Sequence, residues 1–417
     1  MVTDTEFITS TRAEFISRLK ETGVFLIFAG TPKPVTSDDD YRFFGDLNFR
    51  YLTGLDNEDM IYAVRKTAAD ASEMIFAPEK DPLKERWHGA RMSPEEIREK
   101  TGIEQIKDRE DFEAWLMDRV HEGEQIYADL TSVTKEVEGL QALTGQKPKD
   151  ISPVLTEMRL IKSPYELACI REAARITEDA IDSLKECICE GISEYDLCTR
   201  LEYELARRSD PTFAFATIVA VGENSFCLHH NKADRDMKVS KGGYIQIDCG
   251  ARVNGYSADI SRVIFCGGAR PGEDPSDKRY VLHGMIKELR KKALEFIRPG
   301  VTFEELNALM RESLGGMLSA EGLVKEDESP IDSAKRYYWH NTSHFLGLNV
   351  HDVGGRDRKF EAGMTLAVEP GVYIPEWNVG FRIEDDVLIT ENGAEWLSPQ
   401  IIKETDDIEK FIRENKI

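Results

Sequence analysis

Continuous apolar runs alternate with helix-period stretches along the first 150 residues. Gly23 to Ala29, Met60 to Val64 and Glu73 to Ala77 predict buried strands, while Ser93 to Thr101 and Arg109 to Glu122 predict helices. This is the pattern of a small α/β domain. Asp46 to Gly54 is dense in aromatics, and core packing is the expected role. Lys147 to Pro153 turns polar and holds two prolines, so a linker is expected there. It divides the chain into 1–152 and 153–417.

The second part opens on a well-signalled helix. Ser163 caps it, Pro164 suits its first turn, and Glu166 completes a capping box. Gly191-Ile192-Ser193-Glu194-Tyr195-Asp196-Leu197 is echoed by Gly300-Val301-Thr302-Phe303-Glu304-Glu305-Leu306. Each copy opens a helix with a hydroxyl cap and an acid three residues later. A two-copy internal duplication follows, with helices backing a curved sheet.

Between these copies, Tyr244 to Phe265 reads as two strands around Asn254-Gly255, a dipeptide suited to a type I′ turn. With Val253 opposite Tyr256, Asp248 falls opposite Ser261. Asp259 lies two residues from Ser261, so both aspartates share one face. Like charges placed so close call for a cation between them, and a pair of divalent ions fits. The competing reading is a solvated hairpin face.

Composition narrows the classes. A chain of 417 residues with 41% hydrophobic and 31% charged residues suits two or three soluble globular domains. A net charge of −23 and a pI near 4.9 argue against nucleic acid or an anionic membrane as partner. No apolar run is long enough to span a bilayer. Met1 to Lys20 lacks the layout of a signal peptide, so a cytoplasmic location is expected. Seven cysteines without paired Cys-x-x-Cys spacing point to free thiols in a reducing compartment, with Cys187 and Cys189 as packing residues.

Five of the eight histidines fall between His229 and His351. They are His229 and His230, then His340, His344 and His351. His340 and His344 have helical-zinc spacing, but Asn341 stands where that motif needs glutamate and Gly347 disfavours a helix. Glu369 and Glu384 sit in apolar or alternating contexts, where a carboxylate needs a cation.

In combination these stretches resemble the pita-bread metallopeptidases, and within them aminopeptidase P and prolidase. The motifs are Asp-Cys-Gly from Asp248, Ser-Ala-Asp-Ile-Ser-Arg from Ser257, Ser-His-Phe-Leu-Gly from Ser343, Val-Glu-Pro-Gly from Val368 and Arg-Ile-Glu-Asp-Asp from Arg382. They cover the chain from Met158 to about Ser398. Phe49-Arg50-Tyr51-Leu52-Thr53-Gly54 carries a weaker resemblance to the same enzymes' non-catalytic domain, although Phe44-Gly45 departs from its pattern.

The resemblance implies an N-terminal α/β creatinase-like domain and a catalytic pita-bread domain. It also implies a dinuclear metal site held by Asp248, Asp259, His344, Glu369 and Glu384. Asp259 and Glu384 would bridge the ions. Four carboxylates and one imidazole favour manganese, with cobalt, iron or zinc as alternatives. A hydroxide shared by the ions would attack the carbonyl before proline. Glu369 would orient it and take its proton. His351 would stabilise the oxyanion, His340 and His229 would bind substrate or deliver protons, and Arg382 would hold a substrate carboxylate or steady a ligand. His230 has no assigned role. Phe213, Tyr337, Trp339 and Tyr373 are available to line a proline pocket.

The implied activity is Xaa-Pro aminopeptidase. Xaa-Pro dipeptidase is the alternative, and a non-catalytic binding protein is the reading from another class. Methionine aminopeptidases generally lack such a front domain, and creatinase-like hydrolases do without the metals. Peptides with proline second are the expected partners, and a homodimer or homotetramer the expected assembly.

Overall fold

The computed structural model describes residues 4–132, 135–267, 274 and 276–398. The outer limits of the two expected domains, Met1 and Ile417, fall outside them. The chain forms two compact units, Met1–Arg159 and Leu160–Ile417.

The first unit contains α1 (Asp4–Arg18), β1 (Gly23–Phe28), α2 (Leu47–Thr53), β2 (Ile61–Lys66), β3 (Ala71–Ala77), α3 (Pro82–His88) and α4 (Pro94–Thr101). After these come β4 (Gln105–Asp108), α5 (Phe112–His121), β5 (Ile126–Ala128), α6 (Lys135–Thr144), β6 (Lys149–Asp150) and α7 (Ser152–Leu160). Its six strands form one mixed sheet in the order β4-β3-β2-β1-β5-β6. Every residue of β1 is buried, as a continuous apolar run demands. The Ser93–Glu96 capping box starts α4, and Gly102 ends it in a left-handed conformation. The helix expected from Arg109 begins as a single 3-10 turn before α5. Phe49 and Leu52 of α2 are fully buried, which is the core role expected for that stretch.

Lys147 to Pro153, expected as a linker, holds β6 and the start of α7 instead. Ile151 donates its N–H to Ala128 at 3.0 Å, and Ser152 donates to Asp150 Oδ1 at 2.9 Å. Pro153 falls in the first turn of α7, where a missing N–H leaves no bond unmade. Its prolines therefore mark a strand edge and a helix start.

The second unit is built twice on one plan. The first copy runs α8 (Pro164–Asp182), α9 (Glu194–Ala206), β7 (Ile218–Val221), β8 (Gly243–Cys249), the short hairpin β9 (Arg252–Val253) and β10 (Tyr256–Ser257), then β11 (Ile260–Cys266). The second runs α10 (Lys278–Phe296), α11 (Phe303–Ala320), an added α12 (Pro330–Tyr337), β12 (Ser343–Phe345), β13 (Thr365–Val368), the hairpin β14 (Gly371–Ile374) and β15 (Val379–Arg382), then β16 (Asp385–Thr390) and an added β17 (Gly393–Trp396). Strand order is β11-β8-β7 in one copy and β12-β13-β16-β17 in the other. The central strand is β8 in the first and its counterpart β13 in the second.

Capping boxes begin α8, α9 and α11 at Ser163, Ser193 and Thr302. Leu197 and Leu201 of α9 pack with Ile245 and Ile264 in one core. Leu289 of α10 and Leu306 of α11 pack with Val368 and Val387 in another. Each helix pair thus covers its own sheet and leaves the strand ends to carry polar groups. All seven cysteines are free. Cys189 is exposed rather than packed, because it lies in the connection between α8 and α9. Among the described residues no helix is long and apolar enough to cross a membrane.

Candidate active site

Asn254 and Gly255 adopt positive φ angles of 50° and 89°, as a type I′ turn requires. The turn sets Val253 opposite Tyr256 and, five residues further along each strand, Ser261 opposite Asp248. Asp248 and Asp259 are only 6% and 5% exposed. A solvated hairpin face is therefore excluded.

The second copy supplies the matching acids. Glu369 follows β13 as Asp248 closes β8, and Glu384 precedes β16 as Asp259 precedes β11. Asp248-Cys249-Gly250 thereby corresponds to Glu369-Pro370-Gly371. Both glycines sit where a side chain would collide. A Cβ at Gly250 would strike the carbonyl of Ala258, and one at Gly371 would lie 2.5 Å from His340 Nε2.

His344 stands on strand β12, not on a helix. Its Nδ1–H donates to the Phe345 carbonyl at 3.0 Å, which fixes the tautomer and leaves Nε2 free to bind. That Nε2 lies 3.4 Å from Asp259, 3.7 Å from Glu384 and 3.8 Å from Glu369. Single donor atoms of Asp259, His344 and Glu384 lie within 4.8 Å of one another.

So many carboxylates cannot all ionise unaided. Burial and then the charge of Glu384 raise the Asp259 carboxyl well above the usual range, and the same two causes push Glu369 up to about 8. Burial also raises Glu384. Asp248 Oδ1 and Glu384 Oε1 are buried with no hydrogen-bond partner among the described residues. Orphaned acceptors in an oxygen-rich set with one imidazole fit hard divalent cations. Asp248, Asp259, His344, Glu369 and Glu384 are the residues that would hold them.

Around this set, Arg382 donates to Asp248 Oδ2 and, through Nε, to Ser261 Oγ at 3.1 Å. Burial disfavours its charge, but Asp248 more than compensates and its pKa rises. His340 donates from Nδ1 to the Asn341 carbonyl at 2.9 Å and meets the Tyr373 hydroxyl at 3.2 Å. The His351 ring lies 4.3 Å from that of His344. Burial pushes both His340 and His351 down to about 4, so both are neutral at pH 7.

One cavity of about 510 Å³ gathers His229, Asp248, Asp259, His340, His344, His351, Glu369, Arg382 and Glu384 on its wall. Its aromatic lining is Phe215, Phe303 and Phe345. Phe213, Tyr337, Trp339 and Tyr373 are not part of it. Tyr337 is core, Phe213 packs against a core, and Tyr373 stands behind His340 with Trp339 stacked on it at 4.8 Å. Aromatic content alone does not say which side of a wall a ring occupies.

Three supporting residues were not singled out from the sequence. Asp386 accepts the N–H of Asp259 at 3.2 Å. Arg262 donates to the carbonyl of Glu384 at 2.6 Å and to Asp385 at 2.6 Å. Glu194 receives His230 at 2.8 Å, outside the cavity. The consecutive acids Glu384-Asp385-Asp386 in an alternating strand were the available signal for Asp386, since one face must be paired inward.

Comparison with known families matches residues 168–391 to metallopeptidase family M24 and residues 8–127 to the aminopeptidase P N-terminal domain. The chain belongs to metallopeptidase family M24. Among M24 relatives, the Xaa-Pro aminopeptidase of Escherichia coli strain K12 is 30% identical over 432 residues, covering 96% of each chain. The Xaa-Pro dipeptidase of Pyrococcus furiosus is 34% identical over 254 residues, covering 60% of this chain and 66% of its own. A solved structure of a putative aminopeptidase P from Bacillus anthracis superposes with a TM-score of 0.90 at 31% identity over 99% of both chains. The fold is thus the expected one, an aminopeptidase P-type N-terminal domain followed by a pita-bread M24 domain.

Proposed function

We propose that this M24 enzyme is a metal-dependent Xaa-Pro aminopeptidase, which hydrolyses the bond between an N-terminal residue and a following proline. The observation that carries this reading is the five-residue donor set on one cavity, in which Asp248 Oδ1 and Glu384 Oε1 are buried without a hydrogen-bond partner among the described residues. Two divalent ions, manganese by the hardness of the donors, would polarise the scissile carbonyl and make a water acidic enough to attack near neutral pH.

Within that frame the chain's own groups divide the work. Glu369, against the His344 side of the site, takes the proton of the attacking water and returns it to the proline nitrogen as the C–N bond breaks. His351, neutral at pH 7, donates to the carbonyl oxygen as it becomes anionic. His340 and His229 bind the peptide beside it, and Arg382 keeps Asp248 aimed. A prolyl nitrogen carries no hydrogen and its ring fixes φ, so a pocket that asks for no N–H suits it. Phe215, Phe303 and Phe345 offer the apolar wall.

Seven free cysteines support a reducing, cytoplasmic setting. Assembly as a homodimer or homotetramer is supported by α3, which leaves Leu83 67% and Trp87 81% exposed. The dipeptidase reading has the Pyrococcus relative behind it, at 34% identity, but that likeness covers 60% of the chain where that of the Escherichia aminopeptidase covers 96%, which supports the aminopeptidase.

The deciding experiment uses metal-stripped protein reloaded with manganese, on an Xaa-Pro dipeptide and an Xaa-Pro-Yaa tripeptide. Tripeptide cleavage at or above the dipeptide rate supports the aminopeptidase. Dipeptide-only cleavage moves the enzyme to the dipeptidases. No metal-dependent cleavage of either brings forward a binding protein that keeps the fold.

A further inference from the structure

We propose that Glu194 is the positioning residue for His229, acting through His230. Glu194 is the first residue of α9 and is 0% exposed. Its Oε1 accepts from the Val221 N–H at 2.7 Å and from Asn224 Nδ2 at 2.9 Å. Its Oε2 accepts from His230 Nε2 at 2.8 Å and from the Asp234 N–H at 2.9 Å. No lysine or arginine is among these partners. The carboxylate is held by four hydrogen bonds and by the N-terminal end of α9.

These four donors all belong to the single segment 221–234, and they come from both of its ends and from its middle. The same segment places Leu228, His229 and Asn231 on the cavity wall. At its tip the backbone is shaped by turn bonds, His230 N–H to the Cys227 carbonyl at 3.1 Å and Asn231 N–H to the His229 carbonyl at 2.8 Å. Such bonds set the shape of a tip but not its location. His230 supplies the tie from that tip to the body of the unit. Adjacent residues thus take opposite tasks, His229 on the cavity and His230 on the buried carboxylate.

The inference rests on the reading that His229 meets substrate, so its test is a cycle between Glu194 and His229. Wild type, Glu194→Gln, His229→Ala and the double variant are assayed for kcat and KM on an Xaa-Pro-Yaa peptide, with metal content and Tm followed. Glutamine can serve the Val221 side but turns its amide NH2, a donor, toward the Asp234 N–H. The expected result is a fall in kcat/KM of about ten-fold or more for Glu194→Gln at unchanged metal content, and no further fall when it is added to His229→Ala. Losses that multiply, or an unaffected Glu194→Gln, overturn the proposal.

Should Glu194→Gln fail to fold, His230 carries the same test. His230→Phe removes the donor and is expected to lower kcat/KM, while His230→Gln restores a donor and recovers it. Equal rates for the two overturn the proposal. Trypsin cleavage after Lys232 or Arg235 gives a reading independent of activity, and faster nicking of Glu194→Gln than of wild type is expected. Wild-type protein that cleaves no Xaa-Pro peptide overturns the functional reading instead, and nicking then decides whether Glu194 fastens the segment.

Discussion

Arg382 and Asp248 form a buried pair in which the guanidinium takes one carboxylate oxygen and leaves the other, Oδ1, without a hydrogen-bond partner among the described residues. The pair links β15 of one copy to β8 of the other. One oxygen is held and one is presented, so as the proposed ligand Asp248 would be oriented before any ion arrives. On the proposed assignment Arg382 would act on the metal site through Asp248.

Replacing Arg382 by Met therefore weakens metal binding about 10- to 100-fold and lowers activity in step at limiting manganese. Arg382→Lys recovers only part, because one ammonium cannot replace a fork that reaches both Asp248 and Ser261. Metal content after dialysis against graded manganese reads this directly. Unchanged affinity in Arg382→Met would show that Asp248 is oriented without it.

Asp259 sits where both copies of the repeat meet, with its N–H on Asp386 and its carboxylate beside His344 and Glu384. Asp259→Asn should abolish more than about 99% of turnover and reduce bound metal from two ions to one or none. The fold should survive, because removing one charge from a crowded acidic set relieves repulsion. Far-UV circular dichroism and metal analysis check both halves. Near-normal turnover in this variant would sink the dinuclear assignment.

His351 lies beside His344 at the cavity and is neutral at pH 7. If it donates to the developing oxyanion, His351→Ala lowers kcat by about 10²- to 10³-fold while metal content holds. A change confined to KM would reassign it to binding.

Part of this arrangement was legible in the sequence because it depends on short-range rules. The Asn254-Gly255 turn and the two-residue period set Asp248 opposite Ser261, which is the register observed. Cap and acid at fixed spacing marked Ser163, Ser193 and Thr302, and all three form capping boxes. What escaped depends on contacts across the fold. Asp386 reaches Asp259 across 127 residues, and Glu194 reaches Asp234 across 40. Glu194 leaves no local periodic mark, and the run Glu384-Asp385-Asp386 marks an inward acid without naming its partner. The prolines near Lys147 misled for a related reason, since Pro153 serves a helix start as well as it would serve a linker.

Removing the metals should destabilise the protein, since Asp248, Asp259, Glu369 and Glu384 are left to repel one another in a buried site. Ions present at about a thousand times their dissociation constant contribute about 4 kcal/mol by linkage. Chelation is therefore expected to lower Tm by several degrees, manganese to restore it, and Asp259→Asn to shrink the difference. Equal Tm with and without chelator would mean that the donor set binds no ion tightly.

His283 offers a pH dependence away from the metal donors. It lies on α10 with its ring edge-on to Phe265 at 5.5 Å, and burial, with Lys287 and Arg290 adding to it, pushes its pKa down to about 4. The unfolded chain binds a proton near pH 6.5 that the folded state refuses until about pH 4. Its contribution to stability is thus full above pH 6.5 and is lost as pH falls from there toward 4, by about 1–3 kcal/mol. His283→Phe keeps the aromatic contact and removes the titration. Between pH 7 and pH 5 the variant should lose less Tm than wild type, with metal effects cancelling in the comparison. Parallel Tm curves would show that His283 takes up its proton as readily folded as unfolded.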